Sequence, residues 1–370
     1  MNCDDSKCDR EAKAIFSVTG RRVMSHLAFI LTLAISLVVG LFAGDAACAD
    51  NGPSYGRKLQ GFPYPYPVTS YRFDSQGQHL AMAYMDVRPK VANGKTVVLL
   101  HGKNFCAATW EGSIGSLTTA GYRVIAVDQL GFCKSSKPDG YQFTFPQLAG
   151  NTHDLLTSLG ILHSVVIGHS TGGMLAMRYA LMYPNAVDQL VLVDPIGLED
   201  WKAKGVPWLS LDGWMKREQK VSADSIRAYE RSTYYAGTWD PAYEKWVQML
   251  ASLYRGEGRE AVQASSARLY DMIATEPVFY EFEHITNPVL LMIGDRDTTA
   301  IGKDLAPEAI RPTLGNYPML GKQAAARFPH AQLVEFPDLG HSPQIQAPER
   351  FNAALLDWLE TPTTGNAVMR

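Results

Sequence analysis

The sequence predicts an α/β protein built on a mostly parallel, doubly wound sheet. Short, continuous apolar segments indicate strands buried on both faces, and they are TVVLLHG (96–102), RVIAVDQ (123–129), SVVIGH (164–169), LVLVDP (190–195) and NPVLLMIGD (287–295). Helix-like patterns separate the first four of them. Between Pro195 and Ile285 the strand pattern stops. Alternating strands and helices with one helical insertion favour a sheet whose carboxyl edge is covered by a cap.

The remaining elements complete this sheet at both ends. Residues 68–87 predict two antiparallel strands around a Ser-Gln-Gly turn, and AQLVEFP (331–337) predicts a last strand. Helices are expected over 111–120, 145–159, 171–183 and 348–359. Gly160 and Pro184 end the second and third of these helices, and Pro348 begins the fourth.

Composition and charge exclude one class of partner. The chain has 370 residues, of which 46% are hydrophobic and 19% are charged, as is typical of a soluble globular enzyme. Its formal net charge is -3, and no basic run is interleaved with aromatic residues. We therefore expect no nucleic-acid partner.

The first residues predict an export signal. Basic residues precede an uncharged stretch, 27–44, and Ala47 and Ala49 then offer the small residues of an A-x-A cleavage site. We expect residues 1–49 to be a signal peptide and the mature protein to be periplasmic or secreted. The alternative is an uncleaved membrane anchor, because ~18 apolar residues can just span a bilayer. The protein would then contact a membrane through this segment only.

The chain divides into a core with an insertion. The predicted parts are a linker (50–64), a core (65–195 and 286–362), a helical cap (196–285) and a tail (363–370). The cap carries five tryptophans, Trp201, Trp208, Trp214, Trp239 and Trp246. Such residues form the core of a cap more often than they line a pocket.

The segment GHSTGG contains a candidate nucleophile, Ser170. The serine lies between a predicted buried strand and a predicted helix. Gly168 and Gly172 remove side chains that would collide in a tight turn, so that the hydroxyl stands exposed at the amino end of the helix. A lone G-x-S-x-G is weak support, because serine and glycine are also common turn formers. The strand and helix around it favour the nucleophile.

A nucleophilic serine needs a base, and the base needs an orienting acid. His341 follows the last predicted strand, and Asp297 follows the strand before it. This order of serine, acid and histidine is expected for such a triad on this type of sheet. Asp295 and Asp194 remain alternative acids. A loop histidine that only bonds to the backbone is the alternative for His341.

Other residues are expected to surround the reacting carbonyl group. The backbone N–H groups of Lys103 and Thr171 are candidates for an oxyanion hole. Asn104, His169 and Trp201 are candidate pocket residues, and the side chain of Lys103 can also line the pocket. A solvated lysine and a turn asparagine are the alternatives at 103 and 104.

Five motifs together resemble those of the α/β-hydrolase superfamily of capped, single-domain hydrolases. They are HG after the third strand, DQLGFCKSSKP after the fourth, GHSTGG after the fifth, GDRD after the seventh and GHS after the eighth. The resemblance covers roughly residues 65–360. It implies an eight-stranded, mostly parallel sheet flanked by helices, with the cap inserted after the sixth strand. In such proteins the acid usually lies three residues after the strand-end glycine, which from Gly294 is Asp297.

The loop after the fourth strand departs from this pattern at one position. The usual Asp-x-x-Gly-x-Gly-x-Ser is matched at Asp128, Gly131 and Ser135, but Cys133 replaces the second glycine. Because the third and fourth strands are neighbours in this superfamily, the resemblance implies that Cys106 and Cys133 lie side by side. A disulfide is expected, and two buried free thiols are the alternative. The other cysteines, Cys3, Cys8 and Cys48, lie in the predicted signal.

These residues predict two-step acyl transfer on a small to medium, partly apolar carbonyl substrate. Ester hydrolysis is the first expectation. Cleavage of an amide or peptide bond, or of a carbon–carbon bond in diketone-like acids, uses the same residues and remains open. No cofactor or metal is expected, since the histidines lack a ligand spacing such as H-E-x-x-H. A non-catalytic binding protein on the same fold is the hypothesis from another class.

Overall fold

A computed structural model describes residues 52–361, and within them it contains one eight-stranded sheet. The strands are β1 (Val68–Ser75), β2 (Gln78–Val87), β3 (Thr96–Leu100), β4 (Arg123–Val127), β5 (Ser164–His169), β6 (Val187–Val193), β7 (Val289–Gly294) and β8 (Ala331–Phe336). Their order is β1-β2-β4-β3-β5-β6-β7-β8. The β1–β2 and β2–β4 pairs are antiparallel and the other pairs are parallel. The predicted eight-stranded, mostly parallel sheet is confirmed.

Helices fill the connections between the strands. They are α1 (Glu111–Thr119), α2 (Phe145–Ser158), α3 (Thr171–Met182), α4 (Leu211–Glu218), α5 (Ala223–Tyr229), α6 (Glu244–Leu253), α7 (Arg259–Thr275), α8 (Tyr317–Ala325), α9 (Pro343–Gln346) and α10 (Pro348–Glu360). Helix α8 was not predicted. It packs closely on the sheet, since a Cβ atom added at its Gly321 would lie 3.0 Å from Cγ1 of Ile293.

The sheet is buried on both faces because its strands alternate between two apolar layers. In β3, Val98 and Leu100 belong to the layer that contains residues of α2, α3 and α8. Val97 and Leu99 belong to the opposite layer, with residues of α1 and α10. This alternation follows from the two-residue period of a strand. It explains why the parallel strands have continuous apolar sequences.

The insertion between β6 and β7 contains α4 to α7. Helix α4 packs on α7, and α5 packs on α6. The described part of the predicted linker is also packed rather than extended from the core. Leu59 is fully buried, and the ring of Phe62 lies 6.4 Å from that of Trp246 in the cap.

The predicted signal (1–49) and the predicted tail (363–370) lie outside the described residues. Between residues 52 and 361, no helix has both the length and the apolar character needed to cross a bilayer.

Candidate active site

Ser170 occupies a tight turn between β5 and α3. Its backbone has φ 55° and ψ -119°, a left-handed conformation that costs a non-glycine residue about 1–3 kcal/mol. Two glycines make this turn possible. A Cβ atom at Gly168 would lie 2.2 Å from the carbonyl oxygen of Gly172, and one at Gly172 would lie 2.2 Å from that of Leu100. Glycine is therefore needed at positions 168 and 172 because three backbone segments approach one another closely here.

His341 and Asp297 meet at the carboxyl ends of β8 and β7. Nδ1 of His341 lies 2.5 Å from Oδ2 of Asp297, and both side chains are fully buried. The other carboxylate oxygen of Asp297 accepts a hydrogen bond from N of Thr299 at 2.8 Å. The two loops are held together by a close backbone contact, because a Cβ atom at Gly294 would lie 2.1 Å from the carbonyl oxygen of Gly340.

The two alternative acids have other environments. Oδ1 of Asp194 accepts a hydrogen bond from N of Gly294 at 2.8 Å, and burial, reinforced by the nearby Asp297 carboxylate, raises the pKa of Asp194 well above its ordinary value. Asp295 makes no hydrogen bond to His341 among the described residues, and burial raises its pKa too. Of the three candidate acids, Asp297 is therefore the one that is hydrogen-bonded to His341.

Two groups of side chains are close enough to share an ion. Ligand atoms of Asp194, Asp297 and His341 lie within 4.8 Å of one another, as do those of Cys106, Asp128 and Cys133. Within the first group, Asp297 and His341 are already hydrogen-bonded to each other. In the second group, the cysteines are bonded to each other and offer no thiolate.

The imidazole of His341 has one nitrogen free. Its Nε2 is buried and has no hydrogen-bond partner within residues 52–361. The ring lies under Tyr234 of the cap, with ring centroids 4.9 Å apart and nearly parallel planes. Nδ1 is thus hydrogen-bonded to a carboxylate while Nε2 is left unpaired, and this is the arrangement that a histidine acting as a general base requires.

His169 does not line the pocket, contrary to the sequence-based expectation. Its side chain is buried, and its Nε2 donates a hydrogen bond of 2.7 Å to the carbonyl oxygen of His341. Burial, and then the neighbouring His341, lower the pKa of His169 well below its ordinary value. Its ring packs edge-on against Phe105 and Trp110. His169 therefore positions the loop that carries His341.

The turn after β3 lies against the serine. A Cβ atom at Gly102 would lie 2.9 Å from Cβ of Ser170, so the neighbouring Lys103 begins directly beside the turn. In the described turns and loops, neither the N–H of Lys103 nor that of Thr171 donates to another backbone group. Both candidate oxyanion donors therefore lie near Ser170, and neither N–H group is engaged in one of these backbone hydrogen bonds.

A cavity of approximately 440 Å³ adjoins this turn under the cap. Its walls include Lys103 and Asn104, as expected, and the aromatic rings of Trp214, Tyr229 and Tyr270. Trp201 does not belong to it. That residue lines a separate cavity of approximately 20 Å³.

Tyr234 lies between Asn104 of the cavity wall and His341. Nδ2 of Asn104 donates a hydrogen bond of 2.8 Å to its hydroxyl, and its ring stacks on Phe105 as well as on His341. Ser170 is only 6% exposed. Tyr234 lies in a π-helical segment, Glu230–Tyr234, that extends α5. The sequence did not predict this role, because no motif in DSIRAYERSTYY marks one tyrosine among several.

Lys103 is held in a charged network within the cavity wall. Its Nζ donates a hydrogen bond of 2.7 Å to Oγ of Ser266 and lies 3.7 Å from Oε1 of Glu218. It also lies 3.6 Å from the centre of the Tyr270 ring. Burial lowers the pKa of Lys103, and the charge of Glu218 opposes this effect. The side chain at 103 is thus neither solvated nor free to rotate.

Cys106 and Cys133 form a disulfide, with their Cα atoms 5.8 Å apart. The bond joins the loop after β3 to the loop after β4, and the bridge implied by the family resemblance is thereby present. Cys133 has φ 42°, a conformation favoured by the glycine usual at this position. Oδ1 of Asp128 supports the first loop by accepting a hydrogen bond of 2.8 Å from N of Ala107.

The fold agrees with a comparison to protein families. Residues 97–354 match the family described as alpha/beta hydrolase family. The chain belongs to this family.

Several known proteins are similar to this family member. A crystal structure of a probable hydrolytic enzyme from Pseudomonas aeruginosa PAO1 is 62% identical, with a TM-score of 0.83 over 84% of this chain and 99% of that chain. Lipase 1 of Psychrobacter immobilis is 28% identical over 61% of this chain, and the match spans only 65% of the lipase. A putative carbamate hydrolase of Pantoea ananatis is 24% identical over 75% of this chain and 93% of its own length. An esterase from Exiguobacterium antarcticum shares the fold, with a TM-score of 0.61 and 18% identity.

Proposed function

We propose that this alpha/beta hydrolase cleaves carboxylic esters through a covalent acyl-enzyme on Ser170. The observation that carries the proposal is the buried contact of 2.5 Å between His341 and Asp297, with Nε2 of the histidine unpaired. A buried histidine oriented by a carboxylate is the base that a serine nucleophile needs.

The first step forms the acyl-enzyme. Nε2 of His341 takes the proton of the Ser170 hydroxyl while Oγ attacks the ester carbonyl. The N–H groups of Lys103 and Thr171 stabilise the resulting oxyanion, and the amino end of α3 adds its dipole. His341 then donates the proton to the departing alkoxide. Asp297 holds the ring and stabilises the imidazolium that forms between these transfers.

The second step releases the acid. His341 takes a proton from water, the hydroxide attacks the acyl carbonyl, and the proton returns to Oγ of Ser170. Entry of substrate in this mechanism requires Tyr234 to move, since its ring covers His341 and little of Ser170 is exposed. The segment that carries Tyr234 is followed by Ala236 and Gly237, both with positive φ.

The names of the relatives support hydrolysis and differ in the bond that is cleaved. A lipase and an esterase favour ester cleavage, and the putative carbamate hydrolase keeps a carbon–nitrogen bond as the second candidate. Carbon–carbon bond hydrolysis stays a third use of the same residues.

The test is a panel of p-nitrophenyl esters of increasing chain length, with wild type and Ser170→Ala. Wild type should hydrolyse at least one member, and Ser170→Ala should lose at least about a thousandfold of kcat. The matched control is Ser158→Ala, an exposed serine near the end of α2, which should retain the wild-type rate. Full activity in Ser170→Ala would refute the mechanism. Folded wild type that cleaves p-nitroanilides, in which a carbon–nitrogen bond breaks, and no ester would make the second candidate the function.

We also propose that the protein is exported and cleaved after Ala49. The predicted signal (1–49) and the disulfide between Cys106 and Cys133 support this, since disulfides persist in oxidising compartments. Amino-terminal sequencing of the protein from its native host tests it. A start at Asp50 is expected, and a retained residue 27–44 segment would indicate a membrane anchor instead.

A further inference from the structure

The cavity that adjoins the turn after β3 is lined by both apolar and charged side chains. Aromatic and aliphatic side chains form half of its lining, which suits a hydrocarbon chain. The charged residues of the lining are three basic ones (Lys103, Arg217 and Lys220) and three acidic ones (Glu218, Glu230 and Asp304).

The acidic residues are already neutralised. Oδ2 of Asp304 accepts a hydrogen bond of 2.8 Å from Arg217. Glu218 pairs with Lys103, and it accepts a hydrogen bond of 2.5 Å from the Tyr254 hydroxyl. Burial raises the pKa of Glu230 to about 8, so this carboxyl group is largely uncharged at neutral pH. With Lys103 and Arg217 in these pairs and Glu230 protonated, the lining has one more cationic side chain than anionic ones, Lys220, which disfavours a cationic ligand.

Lys103 is the basic group best placed to meet a substrate. It follows Gly102, which lies against Ser170, and its side chain leads from the expected oxyanion site into the cavity. An ammonium group has three donors. One is used by Ser266, and Glu218 at 3.7 Å is beyond hydrogen-bond distance. Its side chain keeps 9% exposure, so a donor remains for a ligand.

We propose that Lys103 binds a carboxylate group of the substrate, so that the enzyme prefers ester substrates with a free acid a few carbons from the scissile bond. This inference rests on the proposed ester hydrolysis. The apolar walls hold the chain between the two groups, and the ammonium supplies a charge-assisted hydrogen bond to the carboxylate.

Two pairs of esters test this. The first pair is mono-p-nitrophenyl adipate and its methyl-capped diester, with the carboxylate on the acyl side. The second pair is para-butanoyloxybenzoate and its methyl ester, with the carboxylate on the alcohol side. In at least one pair, wild type should have about tenfold or greater kcat/KM for the acid over its capped form.

Substitutions in the charge network should move this ratio in opposite directions. Lys103→Met should bring it to about one, because the ammonium is removed and the backbone N–H is kept. Glu218→Gln should increase it severalfold, because the ammonium then lacks its internal partner. The double variant Lys103→Met/Glu218→Gln leaves no unpaired buried charge and should also give a ratio of about one, even where the single variant fails to fold. Lys216→Met, on the same helix α4 but outside the lining, is the control with an unchanged ratio.

The outcomes separate this inference from the proposed function. A capped ester cleaved as well as the acid in both pairs, with a ratio that Lys103→Met does not change, overturns carboxylate binding and leaves ester hydrolysis intact. If folded wild type cleaves none of the esters, the proposed function fails, and calorimetry still decides the inference. Adipate should bind to Ser170→Ala, with affinity at least about tenfold weaker when Lys103→Met is added. Equal affinity in both variants, or no binding to either, overturns it.

Discussion

Removal of the Cys106–Cys133 disulfide should lower the free energy of unfolding by a calculable amount. The bridge closes a loop of 27 residues. In the chain-entropy model, a loop of this length reduces the entropy of the unfolded chain by about 12 cal/mol/K, which is about 3.5 kcal/mol at 25 °C. Cys106→Ala/Cys133→Ala should therefore be less stable than wild type by about 3 to 4 kcal/mol. For a chain of this size we expect a decrease in Tm of about 5 °C.

Urea unfolding followed by tryptophan fluorescence measures this difference, with the m-value as a check on two-state behaviour. Wild type unfolded in the presence of a reductant is the control, because its unfolded chain has no bridge but its sequence is unchanged. The double variant and the reduced wild type should lose the same free energy of unfolding. A loss below about 1 kcal/mol in the double variant would refute the reasoning, since the loop closure would then contribute little to the unfolded state.

Three further predictions concern single residues. Asp297→Asn should lower kcat by about ten-thousandfold with a small change in KM, because His341 loses the carboxylate that fixes its tautomer; steady-state kinetics on the best ester measures this, and a loss under tenfold would contradict it. Gly172→Ala should prevent folding or lower Tm strongly, because the added methyl lies 2.2 Å from the carbonyl oxygen of Leu100; an unchanged thermal melt would contradict it. Burial raises the pKa of Glu230 from 4.5 to about 8, so the folded state binds this proton more tightly, and the free energy of unfolding should fall as the pH rises from 4.5 to 8. Glu230→Gln should therefore be more stable than wild type at pH 9. Denaturant titrations should show that this difference disappears toward pH 4.5.

The sheet and the candidate triad were predictable because their causes are local in the sequence. Strands buried on both faces are continuous apolar runs, and the turn at Ser170 requires glycines at fixed positions. Strand β6 begins at Val187, before the predicted start at 190. The prediction missed this start because an exposed residue, Asp188, interrupts the apolar run. The family resemblance already favoured Asp297 over Asp295, and only Asp297 is hydrogen-bonded to His341.

The features that were missed arise from long-range packing. His169 and Trp201 are next to informative sequence positions, but their side chains point into contacts made by distant segments. His169 bonds to a backbone group 172 residues later in the chain. Tyr234 reaches His341 only because the cap folds over the sheet edge. The periodicity and residue spacing within the cap sequence do not predict this contact between Tyr234 and His341.

The stacking of Tyr234 on His341 has a kinetic consequence. In the proposed mechanism, substrate reaches Ser170 only after the Tyr234 ring moves. Opening is then a step in every catalytic cycle, and its rate constant sets an upper limit on kcat. A covalent serine reagent used at rising concentration should reach a plateau in its rate of inactivation equal to that rate constant. Removal of the hydrogen bond from Asn104 to the Tyr234 hydroxyl should then raise the plateau. In that case kcat would be limited by movement of the cap rather than by the reaction at Ser170.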